Sequence, residues 1–468
     1  MYMDNLHFPE NFLDDLAHAP GFDRENFVKA HELAPAPTSV RINPNKKTAF
    51  INAQPVPWCK GAYYLAERPS FTFDPLFHAG SYYVQEASSM FIDTIVRQIR
   101  ETAEEEAFKI LDLCAAPGGK STLLASTMQE DDLLVANEII KTRVPVLTDN
   151  LTRWGNTNTI VTNNDAKDFA RLPGFFDVIL VDAPCSGSGM FRKDPAAMDE
   201  WSEGNVKLCH QRQERILADV YPALKENGYL IYSTCSYSAE ENENILDWLC
   251  ETFGMESVRI NIDSDWGIVE TQSTKNKAWG YRFYPDKVKG EGLFASCLIK
   301  REETPRASTH KNKFQKLNFK EIDPLRPYVN ESEKYHFFKV AEDWLVIADI
   351  HRDSMLALQD KLYIKKSGVR IGKLAGRDLI PDHELALSLI INKEEFQETE
   401  LTEDQAIAYL RRDNIDIEIN QKGWSLMTFK GKALGWAKLL PNRINNYYPK
   451  ELRIMSTLEA RDKKQETR

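Results

Sequence analysis

None of the seven cysteines stands in a C-x-x-C pair, so neither a disulfide framework nor a zinc-ribbon spacing is on offer. No metal is expected, and thiols scattered singly read as the reduced thiols of a cytoplasmic protein. Long apolar runs are missing as well. Nothing approaches the ~20 residues that a membrane span needs, so no membrane partner is expected. The opening MYMDNLHFPENFLDDLAH is acidic and has none of the basic, apolar and cleavage regions of a signal peptide. No internal repeat marks a solenoid.

What is present is ordinary in bulk. Across 468 residues, 42% hydrophobic and 28% charged content describe a soluble globular protein, and the length asks for more than one domain. A net charge of −11 and a pI of 5.5 argue mildly against nucleic acid. The distribution reverses that argument. Residues 1–36 carry seven acids against two bases, while residues 421–453 carry seven Lys or Arg against Glu451 alone. Binding to nucleic acid depends on a local basic surface, so the asymmetry outweighs the total.

The chain is organised around FKILDLCAAPGGKST (108–122), a buried-strand pattern running through a small-residue loop into a helix. Such a loop lets backbone N–H groups approach a ligand, and the helix dipole favours an anionic group there. The loop is neither G-x-G-x-x-G nor a Walker loop. From 108 to about 300, strands alternate with helices: FKILDL, LLVANE (133–138), NTIVTN (158–163), FFDVILVDAP (175–184) and GYLIYSTCS (228–236), with helices including 205–225 and 239–251. That alternation implies an α/β, doubly wound sheet with ligands at the C-terminal strand ends. WGYRFYPDK and EGLFASCLIKR imply a terminal antiparallel pair.

Around this core the expected divisions are an N-terminal α+β unit (1–80), the doubly wound α/β domain (81–300), a basic linker (301–321) and a C-terminal region (322–468). Residues 1–36 read as acidic amphipathic helix, and 81–99 as helix. In the N-terminal unit, Arg41, Lys46 and Lys47 are candidates for a phosphate backbone, against a plain solvated surface. In 423–454, aromatics interleave with Lys430, Lys432, Lys438, Arg443 and Lys450, a pattern for stacking bases and holding phosphates on a small β-barrel. The competing reading makes the tryptophans simple core.

Glu138 ends the second strand nineteen positions after Gly119, where an acid accepts from a ribose diol. Asp165 ends the third strand, within reach of an adenine amino group. With the glycine loop they describe a pocket for an adenosine-containing cofactor, NAD or S-adenosylmethionine. Asp182-Ala183-Pro184-Cys185 and Thr234-Cys235 then bring two cysteines to neighbouring strand tips. Two thiols and a carboxylate fit methyl transfer to carbon 5 of a pyrimidine. That carbon is a poor nucleophile until a thiolate adds at carbon 6. Chemistry alone leaves the two cysteines interchangeable. Arg192 and Lys193 are candidates for gripping flanking phosphates. Cys59, Cys209, Cys250 and Cys297 read as structural.

CAAPGGKS, the acid of ANE, NNDA, DAPCSGSG and STCS, in this order, resemble the Sun-type family of RNA cytosine-5 methyltransferases. GMFRKDP, YYVQEASSM, PTSVRINPNK and LGWAKLLPNRINNYYPK resemble its bacterial rRNA small-subunit methyltransferase F branch. The resemblance implies a seven-stranded class I methyltransferase sheet and a PUA-like C-terminal RNA-binding barrel. It implies S-adenosylmethionine bound by Cys114, Ala115, Ala116, Pro117, Gly118, Gly119, Lys120, Glu138, Asp165 and Asp182. It implies Cys235 as nucleophile, Cys185 assisting release of the methylated base, and Asp182 beside them in catalysis. RNA, 16S rRNA or the small ribosomal subunit, is the implied partner of a monomer. A methyltransferase acting on amino groups and an idle RNA-binding assembly factor are the alternatives.

Overall fold

A computed structural model of the chain describes residues 8–33, 36–50, 53–304, 317–376, 378–419 and 421–456. Most of the basic segment expected at 301–321 lies outside them. Seven strands of the central sheet carry labels here: β1 (Lys109–Asp112), β2 (Leu133–Asn137), β3 (Thr159–Thr162), β4 (Phe176–Asp182), β5 (Leu224–Thr234), β6 (Trp279–Phe283) and β7 (Leu293–Ile299). They run in the order β3-β2-β1-β4-β5-β7-β6, parallel through β5, with β7 antiparallel to β5 and to β6. This is the expected doubly wound sheet. Three short strands extend it: Val269–Gln272 beside β6, Glu256–Val258 beside β7, and Ile364–Ser367 beside β3.

The near-continuous apolar runs of β1 to β4 follow from burial on both faces. Alternate residues serve opposite cores. Ile110, Leu134, Val161 and Leu180 pack with the helices Ile92–Thr102, Gly119–Thr127 and Val144–Trp154. Leu111, Val135, Ile160 and Ile179 pack instead with Glu203–Val220 and Glu243–Phe253. Fully buried leucines such as Leu123 and Leu124 each hold about 2–5 kcal/mol against truncation to alanine. The tips of β1, β2, β3, β4 and β5 therefore share one edge of the layer, where open α/β sheets bind ligands.

Two expectations near the N-terminus need correction. The acidic segment is two helices, Phe12–Asp15 and Arg24–Leu33, not one. Pro20 lacks the N–H a helix needs, and Gly21 at φ 72° turns the chain left-handed. Residues 81–99 are not helical throughout. Tyr82–Val84 pairs with Thr38–Ile42 as a strand, because its aromatic and β-branched side chains suit a pleated sheet. The α-helix begins only at Ile92. The antiparallel order is Gln54–Pro55, Ala62–Leu65, Thr38–Ile42, Tyr82–Val84.

Downstream lie two more sheets. One joins Tyr335–Val340, Asp343–Ala348, Val369–Ala375 and Asp378–Pro381. The other joins Gln397–Glu400, Gly423–Phe429, Lys432–Leu440 and Arg443–Asn446, with the helix Glu403–Arg411 sharing its core. Its aromatics split between the two readings. Trp436 and Tyr448 are buried, and Trp436 Nε1 donates to the Asp382 carbonyl at 2.8 Å. Tyr447 is exposed and Trp424 is half-buried against the core, their ring centroids 4.5 Å apart, with Lys438 Nζ 5.4 Å from the Trp424 ring. Among the described residues, no helix is long and apolar enough to cross a membrane.

Candidate active site

The loop after β1 is held by its neighbours rather than by its own bulk. Ala115 N donates to the Asn137 carbonyl at 2.8 Å, Asn150 Nδ2 to the Pro117 carbonyl at 2.7 Å, and Arg143 Nη2 to the Ala116 carbonyl. Gly118 sits at φ 115° at the start of the helix Gly119–Thr127, a conformation that requires glycine and turns backbone N–H groups outward. Beneath it, Asp112 is fully buried. Its Oδ2 accepts from Ser121 Oγ at 2.6 Å, while Oδ1 has no partner among the described residues. Burial raises this carboxyl to about 7, more than the Ser121 bond lowers it. Burial likewise pushes the Cys114 thiol up.

The strand-end acids take different roles locally. Glu138 is buried; its Oε1 accepts from Ile140 N at 2.7 Å and its Oε2 lies 3.3 Å from Arg143 Nη1. Arg143 thus ties the acid to the loop. Ile139 and Ile140, immediately beyond, leave apolar surface exposed at 54% and 49%. Asp165 caps the turn Ala166–Arg171, accepting from Lys167 N at 3.3 Å. Asp182 at the tip of β4 is held at both oxygens, by Ser233 Oγ at 2.8 Å and by Lys120 Nζ at 2.9 Å. Burial works against the Lys120 charge, but Asp182 overcomes it and raises the ammonium above its ordinary value. These groups suit a cofactor with a cationic amino group and an apolar ring. An unpartnered buried carboxylate oxygen, an uncovered isoleucine pair and a glycine-lined helix start are the features that fit it.

Beside Asp182 the β4 and β5 loops interlock. Cys185 Sγ lies 3.0 Å from Cys235 Sγ. The Cys235 contact, reinforced by burial, pushes the Cys185 thiol well above its usual value, and either sulfur can be the donor across that contact. Gly189 N donates to the Cys235 carbonyl at 2.6 Å, and Tyr237 N to Ser188 Oγ at 2.9 Å. Tyr237 then packs under the N-terminal helices, 5.2 Å from Phe27. Both thiols and the carboxylate are therefore on one edge of one sheet.

Other residues lie elsewhere than expected. Arg192 is buried and forms a bidentate pair with Glu291, at 2.8 and 3.1 Å, so it is turned away from any phosphate. Arg41 is buried too. Its guanidinium donates to Gln85 Oε1, Thr122 O, Thr122 Oγ1, Ser126 Oγ and Gly119 O. Lys46 Nζ donates inward to the Ala79 and Arg153 carbonyls at 3.1 and 2.6 Å, and burial lowers it to about 7. Only Lys47 of that group faces solvent. The thiols of Cys59, Cys209 and Cys297 are buried away from the edge, and Cys250 is half-buried. Sequence reading passed over Asp112, taken as one more strand residue, although it stands inside the motif. It passed over Arg143 and Glu241 because nothing local marks them, and it offered Arg41 to a phosphate backbone rather than to the glycine-loop helix.

Comparison with known proteins follows this geometry closely. Residues 98–299 match the family model "16S rRNA methyltransferase RsmB/F". Residues 8–87 match "N-terminal domain of 16S rRNA methyltransferase RsmF", and 396–454 "Methyltransferase RsmF PUA domain". The chain is 29% identical over 476 residues to the ribosomal RNA small subunit methyltransferase F of Shewanella piezotolerans, covering 95% of this chain and 97% of that one. It is 30% identical over 472 residues to the protein of the same name from Aliivibrio salmonicida, covering 96% and 98%. Among solved structures it resembles a methyltransferase homolog protein from Pyrococcus horikoshii, with a TM-score of 0.50, 28% identity, and coverage of 62% of this chain and 99% of that one.

Proposed function

The chain belongs to the RsmB/F family of rRNA small-subunit methyltransferases, and from that premise we propose that it methylates carbon 5 of a cytidine in small-subunit ribosomal RNA through a covalent adduct on Cys235. The observation that carries this reading is the 3.0 Å approach of the Cys185 and Cys235 thiols beside an Asp182 anchored by Lys120. An amino-group methyltransferase needs neither thiol.

The Cys235 thiolate adds to carbon 6, and the electrons of the 5,6 double bond make carbon 5 nucleophilic. Asp182 holds the N3 side of the ring and offsets charge during attack, with Lys120 and Ser233 fixing its orientation. When bound, S-adenosylmethionine, the family's donor, supplies an electrophilic methyl group at this edge. Cys114 through Lys120, Glu138, Asp165 and Asp182 would hold that donor, joined by Asp112 and by Arg143 acting through the loop. After transfer the carbon 5 proton is lost to solvent water acting as base, the electron pair of that C–H bond re-forms the 5,6 double bond and Cys235 departs as a thiolate. Cys185 donates its hydrogen bond to the departing sulfur and so assists release.

The target base must leave its stack, at a cost of a few kcal/mol in a duplex and less in a loop. Within the PUA region the basic stretch 421–453 supplies affinity for the RNA, and the enzyme works in the cytoplasm on rRNA or the small subunit. The test is methyl incorporation into 16S rRNA and assembled small subunits, followed by nucleoside analysis. 5-Methylcytidine is expected. An amino-methylated base, or cofactor binding with no incorporation, overturns the reading.

A further inference from the structure

Glu241 is a buried carboxylate that the chemistry above does not use. No cation lies within ion-pair distance of it among the described residues; four neutral donors satisfy it instead. Its Oε1 accepts from Ser186 N at 2.9 Å and from Gln213 Nε2 at 3.0 Å. Its Oε2 accepts from Ser186 Oγ at 2.5 Å and from Ser236 Oγ at 2.6 Å. Ser186 and Ser236 are the residues that directly follow Cys185 and Cys235, and their hydroxyls lie 3.2 Å apart. Gln213 Nε2 also donates to the Pro184 carbonyl at 3.0 Å, so the residues on both sides of Cys185 are anchored to one hub.

We infer that Glu241 is a positioning residue that sets the separation and facing of the Cys185 and Cys235 thiols by clamping the two loops that carry them. β4 and β5 pair in parallel as far as Asp182 and Ser233, with one further bond from Ala183 N to the Ser233 carbonyl. Beyond it the loops meet through Gly189 N and the Cys235 carbonyl and through Tyr237 N and Ser188 Oγ, and among the described residues Glu241 alone holds the residues directly after both cysteines. A carboxylate bridges the gap because it offers two acceptor oxygens to donors from both loops, with no side-chain reach to spare. Its distance from the thiols, one residue along each loop, makes it act through them rather than on the substrate. A displacement of about 1 Å between reacting groups costs on the order of a hundredfold in rate, which is the scale of the expected effect.

The inference rests on Cys185 and Cys235 being the reacting pair, but one arm of its test does not depend on the reaction. Diamide takes two electrons and both thiol protons from a close thiol pair and leaves a disulfide. Its rate of closing Cys185 to Cys235 in the full-length protein, followed by peptide mass spectrometry, reports thiol juxtaposition directly. In Glu241→Ala, closure is expected to slow at least about tenfold. Its kcat is expected to fall about a hundredfold, with the KM values for donor and RNA changed by less than about threefold. Glu241→Gln restores much of both, because its amide can donate to the two serine hydroxyls while its oxygen still accepts from Ser186 N. Ser236→Ala removes one arm without emptying the hub, and its slower closure tests the clamp should Glu241→Ala fail to fold. Wild-type closure and kcat in Ser236→Ala and in folded Glu241→Ala, with only melting temperature lowered, overturn the inference. Slower closure supports it whichever base the wild-type enzyme methylates.

Discussion

Arg41 Nη2 donates to the Gly119 carbonyl at 3.3 Å, reaching from the N-terminal sheet into the first turn of the helix that follows the glycine loop. The same guanidinium also stacks 4.7 Å from the Trp154 ring. The N-terminal unit therefore braces the helix Gly119–Thr127 from behind. Arg41→Met strips a cation from five acceptors at once, and the buried ones are left unsatisfied at about 1–3 kcal/mol each. The expected outcome is a loss of several kcal/mol in urea unfolding and weaker binding of S-adenosylmethionine by calorimetry, while RNA affinity holds.

The two thiols, 3.0 Å apart, separate by what their loss does. With Cys235 as the proposed nucleophile, Cys235→Ala is expected to abolish methyl transfer. Cys185→Ala is expected to accumulate an RNA–protein adduct that survives denaturing electrophoresis. An adduct in the first variant and none in the second exchanges the roles.

Lys120 and Asp182 form the other pair at this edge, 2.9 Å apart with Lys120 mostly buried. Lys120→Met leaves Asp182 oriented by Ser233 alone. A fall of about 10²–10³ in kcat is expected from losing one preorganised charge, read in single-turnover methyl transfer.

Asp112 gives a pH signature. Its folded value is about 7 against an ordinary 3.8, so between those values the native state holds a proton that the unfolded chain has released. Its contribution to stability is complete below about pH 4 and is lost as pH rises through about 7. Asp112→Asn has no such term. Calorimetry of ligand-free protein is expected to show the variant gaining on wild type as pH rises from 4.5 to 7.5.

Gly189 has no room for a side chain. A Cβ there would lie 2.7 Å from the Cys235 carbonyl and 2.6 Å from that of Gly292. Gly189→Ala must push the β5 loop away, so a kcat loss of about a hundredfold with unchanged donor affinity is expected in steady-state assays.

Much of the fold was readable because its signals are local. The strands of the central sheet are apolar runs bounded by turns, and their order of appearance implies the parallel sheet. The meeting of Cys185, Cys235 and Asp182 was readable because Asp182 ends β4, the cysteines follow closely on the ends of β4 and β5, and parallel strands align their ends. What stayed hidden depends on contacts across long stretches of chain. Arg41 meets the helix after the glycine loop 78 to 85 residues on, and Glu241 meets Ser186 across 55. Each looks like an ordinary surface charge until the fold buries it. Arg192 misled for the same reason, since its partner Glu291 stands 99 residues away. Tyr82–Val84 misled because its neighbour along the chain is a helix while its neighbour in space is a strand.

The pairing of Ile364–Ser367 with β3 has a mechanical meaning. Tyr363 exchanges backbone hydrogen bonds with the Asn164 side chain, at 3.0 and 3.2 Å, one residue from Asp165. The C-terminal region is thus fastened to the end of β3, one residue from Asp165. Cutting the polypeptide ahead of residue 364 would uncover a raw sheet margin, open to pairing with any passing strand.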